Sequence, residues 1–348
     1  MAFEKVYEYK IRLITTIQSG RKHMKTPKQL HAICAGLAFT ALSMSTSAEV
    51  VSVATGAQGS LAFTSGQAVA KVLNDNGITA RTQPLVGYLP LIDSGEVDFG
   101  FSNGVEAGYA FTGTGNYDRK HPNMRLVGVM FPLSTGIMAP CDLGLKTIAD
   151  VKAKSRNLKI AAEYKSSTII PYYIAGGLAS GGLTYEDFQQ VPVASFVDGI
   201  KALGDGLVDL ALVSLNNGAG KKAAVKLKDR GGLCYVSLNG DTDGNAAFKK
   251  FLPAGVLKPF KQNEKINGLA GSGATLMQIP WVMMTNANVS DDLVYKTVKS
   301  VAENKDALVK SLGLFRGANK DTMAPANDMP YHPGALKYYK DAGITVAK

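Results

Sequence analysis

Cysteine and histidine are scarce in this chain. Its 348 residues include three cysteines and four histidines. No Cys-x-x-Cys pair or Cys/His cluster occurs, so the ligand spacings of a structural metal site are missing and no metal or cofactor is expected. Lys and Arg are scattered, without the run interleaved with aromatics that would track a phosphate backbone, which argues against a nucleic-acid partner. The apolar stretch from Ala32 to about Met44 is too short for a comfortable membrane span.

What the chain does have is apolar material for more than one core: 46% of its residues are hydrophobic, and its length suits two domains or one domain built from two lobes. The formal charge is +10, unevenly spread. Residues 1–48 hold seven of the 38 basic residues and two of the 28 acidic ones, so residues 49–348 carry +5. Within 24–48, Lys25 and Lys28 precede the apolar core, and small residues ending Thr46-Ser47-Ala48 follow it. That order is the layout of a secretory signal peptide, cleaved after Ala48. Met24 is a better start for such a signal than Met1, so residues 1–23 are expected to be a non-native upstream extension. Export removes Cys34 and leaves Cys141 and Cys234 in an oxidising compartment. The sequence leaves open whether these two pair or stay as separate buried thiols.

The exported part repeats one plan. Val50–Ala54 is a short apolar strand pattern that runs into the polar loop Thr55-Gly56-Ala57-Gln58-Gly59-Ser60 and then a helical pattern that Gly77 stops. Farther on, Leu158–Ala162 runs into Ser166-Ser167-Thr168 and another apolar helix. The segments Gly95-Glu96-Val97-Asp98 and Gly206-Leu207-Val208-Asp209 lie 111 residues apart. At the same offset Thr55 aligns with Ser166, Gly56 with Ser167, and Asn103 with Ser214. Strands alternating with helices predict an α/β fold: a two-lobed clamshell, each lobe a mixed, mostly parallel sheet flanked by helices. A strand at Ile279–Thr285, an amphipathic helix over Asp291–Leu312 and a last helix after Pro330 return the chain to the first lobe. The expected limits are 49–138 with 279–348 for lobe I and 139–278 for lobe II, joined by hinge crossings.

Ligands of such sheets bind outside the carboxyl ends of the strands, where the polar loops fall. There the first N–H groups of a helix lack intrahelical partners and the dipole is positive, so an anion is accommodated without Lys or Arg. The candidate binding residues are Thr55, Gly56, Gln58, Gly59, Ser60, Leu61, Asn103, Ser166, Ser167, Thr168, Ser214, Asn216 and Asn217. For each loop, plain helix capping or turn chemistry is the competing explanation.

An enzymatic alternative rests on Gly100-Phe101-Ser102-Asn103-Gly104, which matches the Gly-x-Ser-x-Gly elbow of a serine hydrolase. Ser102 would need a histidine base, and the exported part offers His121 and His332 alone. Asp98-Phe99-Gly100 spells a kinase triplet, but the companion motifs are missing.

Several stretches together resemble the TAXI-type extracytoplasmic solute receptors of TRAP transporters. They are Ala54–Ser60, Ser94–Gly100, Lys146–Lys152, Asp292–Lys296 and His332–Tyr339, in order along residues 50–345. The resemblance implies a periplasmic receptor that captures a small organic anion, of the carboxylate or acidic amino acid class, between two lobes. It also implies delivery to an ion-driven TRAP-type permease. The chain departs from the family where the usual Gly-Gly-Thr-Gly-Gly loop reads Gly56-Ala57-Gln58-Gly59-Ser60, and where an Arg on the first crossing is Pro140. A periplasmic sensor input for a membrane receptor would have the same features.

Overall fold

The computed structural model describes residues 50–347. The expected extension 1–23, the signal peptide 24–48 and its cleavage point lie outside the described residues. The first lobe opens with β1 (Val51–Ala54), α1 (Leu61–Asp75), β2 (Ala80–Gln83), α2 (Leu89–Ser94), β3 (Phe99–Asn103) and α3 (Gly104–Thr112). A long strand, β4 (Met124–Pro140), leads away from it. Then follow α4 (Ile148–Lys154), β5 (Lys159–Glu163), α5 (Ile170–Ala179), β6 (Gln189–Val193), α6 (Phe196–Gly204) and β7 (Ala211–Ser214). The excursion continues through α7 (Gly218–Lys226), β8 (Leu233–Tyr235), α8 (Thr242–Lys249) and β9 (Val256–Phe260). The chain returns along β10 (Ala274–Asn286) and ends in α9 (Asp291–Glu303), α10 (Lys305–Ser311) and α11 (Pro333–Asp341).

The result is a two-domain α/β fold with mixed sheets flanked by helices. The strand order β2-β1-β3-β10-β4-β7 places the two long strands side by side in the middle, β10 lying antiparallel on β4 from Met277↔Thr135 to Asn286↔Met124. Parallel pairing belongs to the strand–helix–strand arms: β1 with β2, β1 with β3, and β5 with β6. The expected parallel predominance does not extend to β4 and β10, whose pairings with β3, β7, β8, β9 and each other are all antiparallel. The cause is topological: a helical crossover returns the chain in the same direction, whereas β4 and β10 carry it out and back.

Two apolar cores flank these strands. One gathers Val51, Val53, Phe99, Phe101, Leu126, Met283, Val298 and Tyr339. The other gathers Ile137, Ile160, Ile174, Leu178, Leu203, Leu212, Phe248 and Met277, with Val105 and Tyr109 of α3 reaching into it. Burial of each such aliphatic or aromatic side chain stabilises the fold by about 1.5–3 kcal/mol. Cys141, just past β4, is joined by a disulfide to Cys234 in β8, with Cα atoms 5.1 Å apart. The bond ties the strand Ala139↔Cys234 pairing at its end.

Helix starts are capped locally. Thr147 and Thr184 form capping boxes with Asp150 and Asp187, and Ser195 caps α6 through the Asp198 N–H. The amphipathic pattern over 291–312 is two helices, not one. Asn304, with φ −114° and ψ 40°, breaks it, and its side chain bonds back to the Ser300 carbonyl. No helix of the described residues is long and apolar enough to cross a membrane.

Candidate functional site

The register Ala54↔Gly100 sets the carboxyl end of β1 beside β3, three residues before β3 ends at Asn103, and the Tyr88 ring lies between the two, 3.6 Å from a Cβ at Gly56 and 3.0 Å from one at Gly100. Thr55 is fully buried. Its methyl packs on α1 where Gly66 leaves room, since a Cβ at Gly66 would come within 2.4 Å of Thr55 Cγ2. Thr55 Oγ1 is buried without a hydrogen-bond partner. Gly56 turns the chain at φ +60° and is buried; Gln58 and Gly59 are exposed on the loop. Ser60 is the N-cap of the 15-residue α1, its Oγ accepting from Phe63 N at 3.0 Å. The N–H groups of Leu61 and Ala62, in the first turn, have no intrahelical acceptor and point a positive dipole end toward the loop.

Asn103 closes β3 and caps α3, its Oδ1 accepting from Glu106 N at 2.9 Å. The Glu106 side chain folds back over the cap. Its Oε2 accepts from Ser102 Oγ at 3.0 Å and Asn103 Nδ2 at 3.1 Å, and its Oε1 from the Tyr117 hydroxyl at 3.4 Å. Desolvation holds the carboxyl above its ordinary range, against the pull of these hydrogen bonds. Among the described residues no ion pair includes Glu106. Burial and the Glu106 charge together push the Tyr88, Tyr117 and Tyr173 hydroxyls well up, so all three stay protonated at physiological pH. Tyr88 donates to the Phe101 carbonyl. Tyr173, on α5, is 3% exposed, and its hydroxyl has no partner.

From the other side, β5 runs into the loop Ser166–Thr168. Ser166 Oγ donates to the Ala194 carbonyl at 2.9 Å, and Ser167 Oγ accepts from Phe196 N at 3.3 Å. Thr168 Oγ1 accepts from Asn116 Nδ2 at 3.0 Å, which connects this loop to the segment after α3. Tyr109 of α3 likewise donates to the Phe251 carbonyl and meets the Tyr172 ring edge-on. Ser214 ends β7 with its hydroxyl 3.4 Å from Thr135 Oγ1. Asn216 takes φ +59°, and Asn217 caps α7 through Gly220 N.

The predicted residues therefore divide. Thr55, Gly56 and Ser60 stand together at the end of β1, Asn103 stands at the end of the neighbouring β3, and Thr168 meets the segment after α3 through Asn116. Ser60, Asn103 and Asn217 spend a side-chain oxygen on capping, Ser166 and Ser167 bond the backbone at Ala194 and Phe196, and Ser214 faces Thr135 on the long strand β4. The sequence reading missed Glu106, Asn116, Tyr117 and Tyr173. Glu106 was findable, because Asn103-x-x-Glu106 has the spacing of a capping box. The tyrosines come from distant segments and have no local signal. Two concavities, one beside Met130, Val301 and Phe315 and one beside Gln67, Lys71 and Arg81, contain none of the predicted residues.

The hydrolase alternative is not supported by this geometry. Ser102 lies in β3 and is not among the residues with positive φ, as an elbow nucleophile would be. Its partner is a carboxylate. His332 Nδ1 accepts from Gly334 N as the cap of α11, and His121 faces Asp93 at 3.4 Å with its ring against Tyr117. Both glycines of the motif have packing roles: a Cβ at Gly100 would lie 2.6 Å from Ile92 Cδ1, and one at Gly104 2.7 Å from Pro280 Cγ.

Solved structures share this architecture. The chain is similar to MatC (Rpa3494) from Rhodopseudomonas palustris with bound malate, at 13% identity and a TM-score of 0.50, over 77% of this chain and 89% of that one. It is also similar to the structure of a periplasmic transporter, at 9% identity and a TM-score of 0.50, over 84% and 92%. At such identities the likeness is one of fold, a periplasmic-binding-protein-like architecture. The match to a protein family runs from residue 53 to 343, taking in most of both apolar cores and every loop of the site, and by it the chain belongs to the NMT1-like family.

Proposed function

We propose that this protein is an exported solute-binding receptor that captures a small organic ligand between its lobes and delivers it to a TRAP-type membrane permease. The observation that carries this reading is the polar cluster where the lobes meet. Thr55, Ser102, Asn103, Glu106, Asn116 and Tyr117 come from one side, Thr168 and Tyr173 from the other, and several of their polar atoms are buried without partners. Buried polar atoms in a finished fold are nearly always satisfied, and a captured ligand would satisfy these. The lobes are read as 49–138 with 279–348 and as 139–278, a division supported by the two apolar cores. Crossing strands between such lobes suit hinge closure, in which ligand shifts the population toward a closed state. The positive end of α1 beside Gly56 suits a carboxylate, which favours the small organic anion class. The charged start and small-residue end of 24–48 support export, and the ordered resemblance to TAXI receptors supports the permease type.

The test is thermal unfolding of refolded, ligand-stripped protein against carboxylates, amino acids and neutral solutes. A ligand that binds the folded state alone raises its stability by about 2.7 kcal/mol at a hundred times its dissociation constant. Uptake of the responding solute by cells should then collapse with an ionophore and survive ATP depletion. A neutral solute as the sole binder would overturn the anion class, and ATP-dependent uptake would overturn the permease type.

A further inference from the structure

Glu106 is out of keeping with a cleft built purely for an anion. It is a carboxylate held by three neutral donors, Ser102 Oγ, Asn103 Nδ2 and the Tyr117 hydroxyl, and no Lys, Arg or His pairs with it among the described residues. Withdrawing a carboxylate from water without a countercharge is costly, and three neutral hydrogen bonds to the half-buried Glu106 offset that cost only in part. Around it stand further unspent polar atoms. The Tyr173 hydroxyl is buried, feels the Glu106 charge and has no partner. Asn116 Oδ1 is also buried without a partner, although its Nδ2 is spent on Thr168. Both the Asn116 oxygen and the Tyr173 hydroxyl can accept a proton donor, as Glu106 can.

On the reading of this cleft as a ligand site, we infer that Glu106 binds a cationic nitrogen of the ligand, with Asn116 Oδ1 and the Tyr173 hydroxyl taking its remaining N–H groups. A primary ammonium has three donors and one positive charge, and this set provides a countercharge and two neutral acceptors. The ligand class is therefore narrower than a carboxylate. A carboxylate end would face the first turn of α1, and an ammonium would face Glu106, as in an amino acid.

The experiment compares matched probes on wild-type protein, Glu106→Gln and Tyr173→Phe by thermal shift and calorimetry. The probes are L-glutamate with glutarate, L-alanine with propionate, and putrescine with butane-1,4-diol. Expected is saturable binding of an amine-bearing probe, at least tenfold weaker binding of its partner without the amine, and at least a tenfold loss in Glu106→Gln. Tyr173→Phe should lower affinity several-fold without lowering the unfolding temperature of the ligand-free protein, which separates loss of contact from loss of fold. Equal binding of the amine-free partner, or unchanged affinity in Glu106→Gln, would overturn the assignment of Glu106 and leave the receptor reading standing. Silence of all six probes in wild-type protein would overturn the ligand class and count against the receptor reading with it.

Discussion

The amide of Asn116, in the segment after α3, reaches across to Thr168 in the loop before α5 and donates to its Oγ1 at 3.0 Å. Thr168 is exposed, so the bond lies at the surface. A single neutral hydrogen bond of this kind contributes roughly 0.5–1.5 kcal/mol. Thr168→Val should therefore lower the stability of ligand-free protein by no more than about 0.5–1.5 kcal/mol and weaken ligand binding about two- to tenfold. Calorimetry on both proteins checks it; an unchanged dissociation constant would mean the bond has no part in holding ligand.

Glu106 gives the ligand-free protein a pH dependence whose sign is set by its environment. Its carboxyl is held above the ordinary 4.5 by desolvation. The folded state thus binds more protons than the unfolded state between 4.5 and the raised value, and stability falls as pH rises through that window. Tyr88, Tyr117 and Tyr173, which face it, are pushed upward and stay neutral there. His121 and Asp93 stand behind Tyr117 and are common to wild type and variant. The stability of wild type relative to Glu106→Gln should decline with pH above 4.5 and then level off. Urea midpoints from pH 4 to 8 measure this, and a flat difference would show a carboxyl that titrates as in water.

The Cys141–Cys234 disulfide closes a loop of 93 residues that contains most of the second apolar core. Cross-linking so long a loop restricts the unfolded chain, and removing it typically costs about 2–5 kcal/mol. Replacing both cysteines by alanine should lower the unfolding midpoint accordingly while the secondary structure measured by circular dichroism stays as it is. A loss under about 1 kcal/mol would show that β4 and β8 hold their register without the bond.

Asp98 and Asp209, the repeated aspartates, do matching work. Asp98 Oδ2 accepts from Ser52 N at 2.7 Å and from Ser52 Oγ at 2.7 Å, tying β3 to β1. Asp209 Oδ2 accepts from Lys159 N at 2.8 Å, tying the bend just before β7 to the start of β5. Hydrogen bonds to a charged acceptor contribute about 1.5–3 kcal/mol. Asp98→Ala should thus cost about 2–3 kcal/mol, and Asp209→Ala, with one such bond, about 1–2. Chemical denaturation of the two variants reads this order directly, and equal costs would mean the Ser52 hydroxyl bond adds nothing.

Much of the fold was legible along the chain because its causes are local. Apolar runs bounded by turns located β1, β5 and much of β10, Pro330 preceded the last helix, and the 111-residue offset of Asp98 and Asp209 announced a repeated architecture, whereas β4 and β6 were not read. Sequence alone also put Thr55, Gly56, Ser60 and Asn103 at strand ends, since a polar loop after an apolar strand has few other places to go. What tertiary structure decided is which of those polar atoms are already spent. Ser60, Asn103 and Asn217 cap helices, Ser102 donates to a carboxylate, and Cys141 meets Cys234 because β4 and β8 pair. The cluster around Glu106 was invisible in the sequence for a physical reason. Burial, desolvation and the approach of Tyr173 from α5 depend on residues far apart in the chain meeting across two lobes, and no local pattern encodes that meeting.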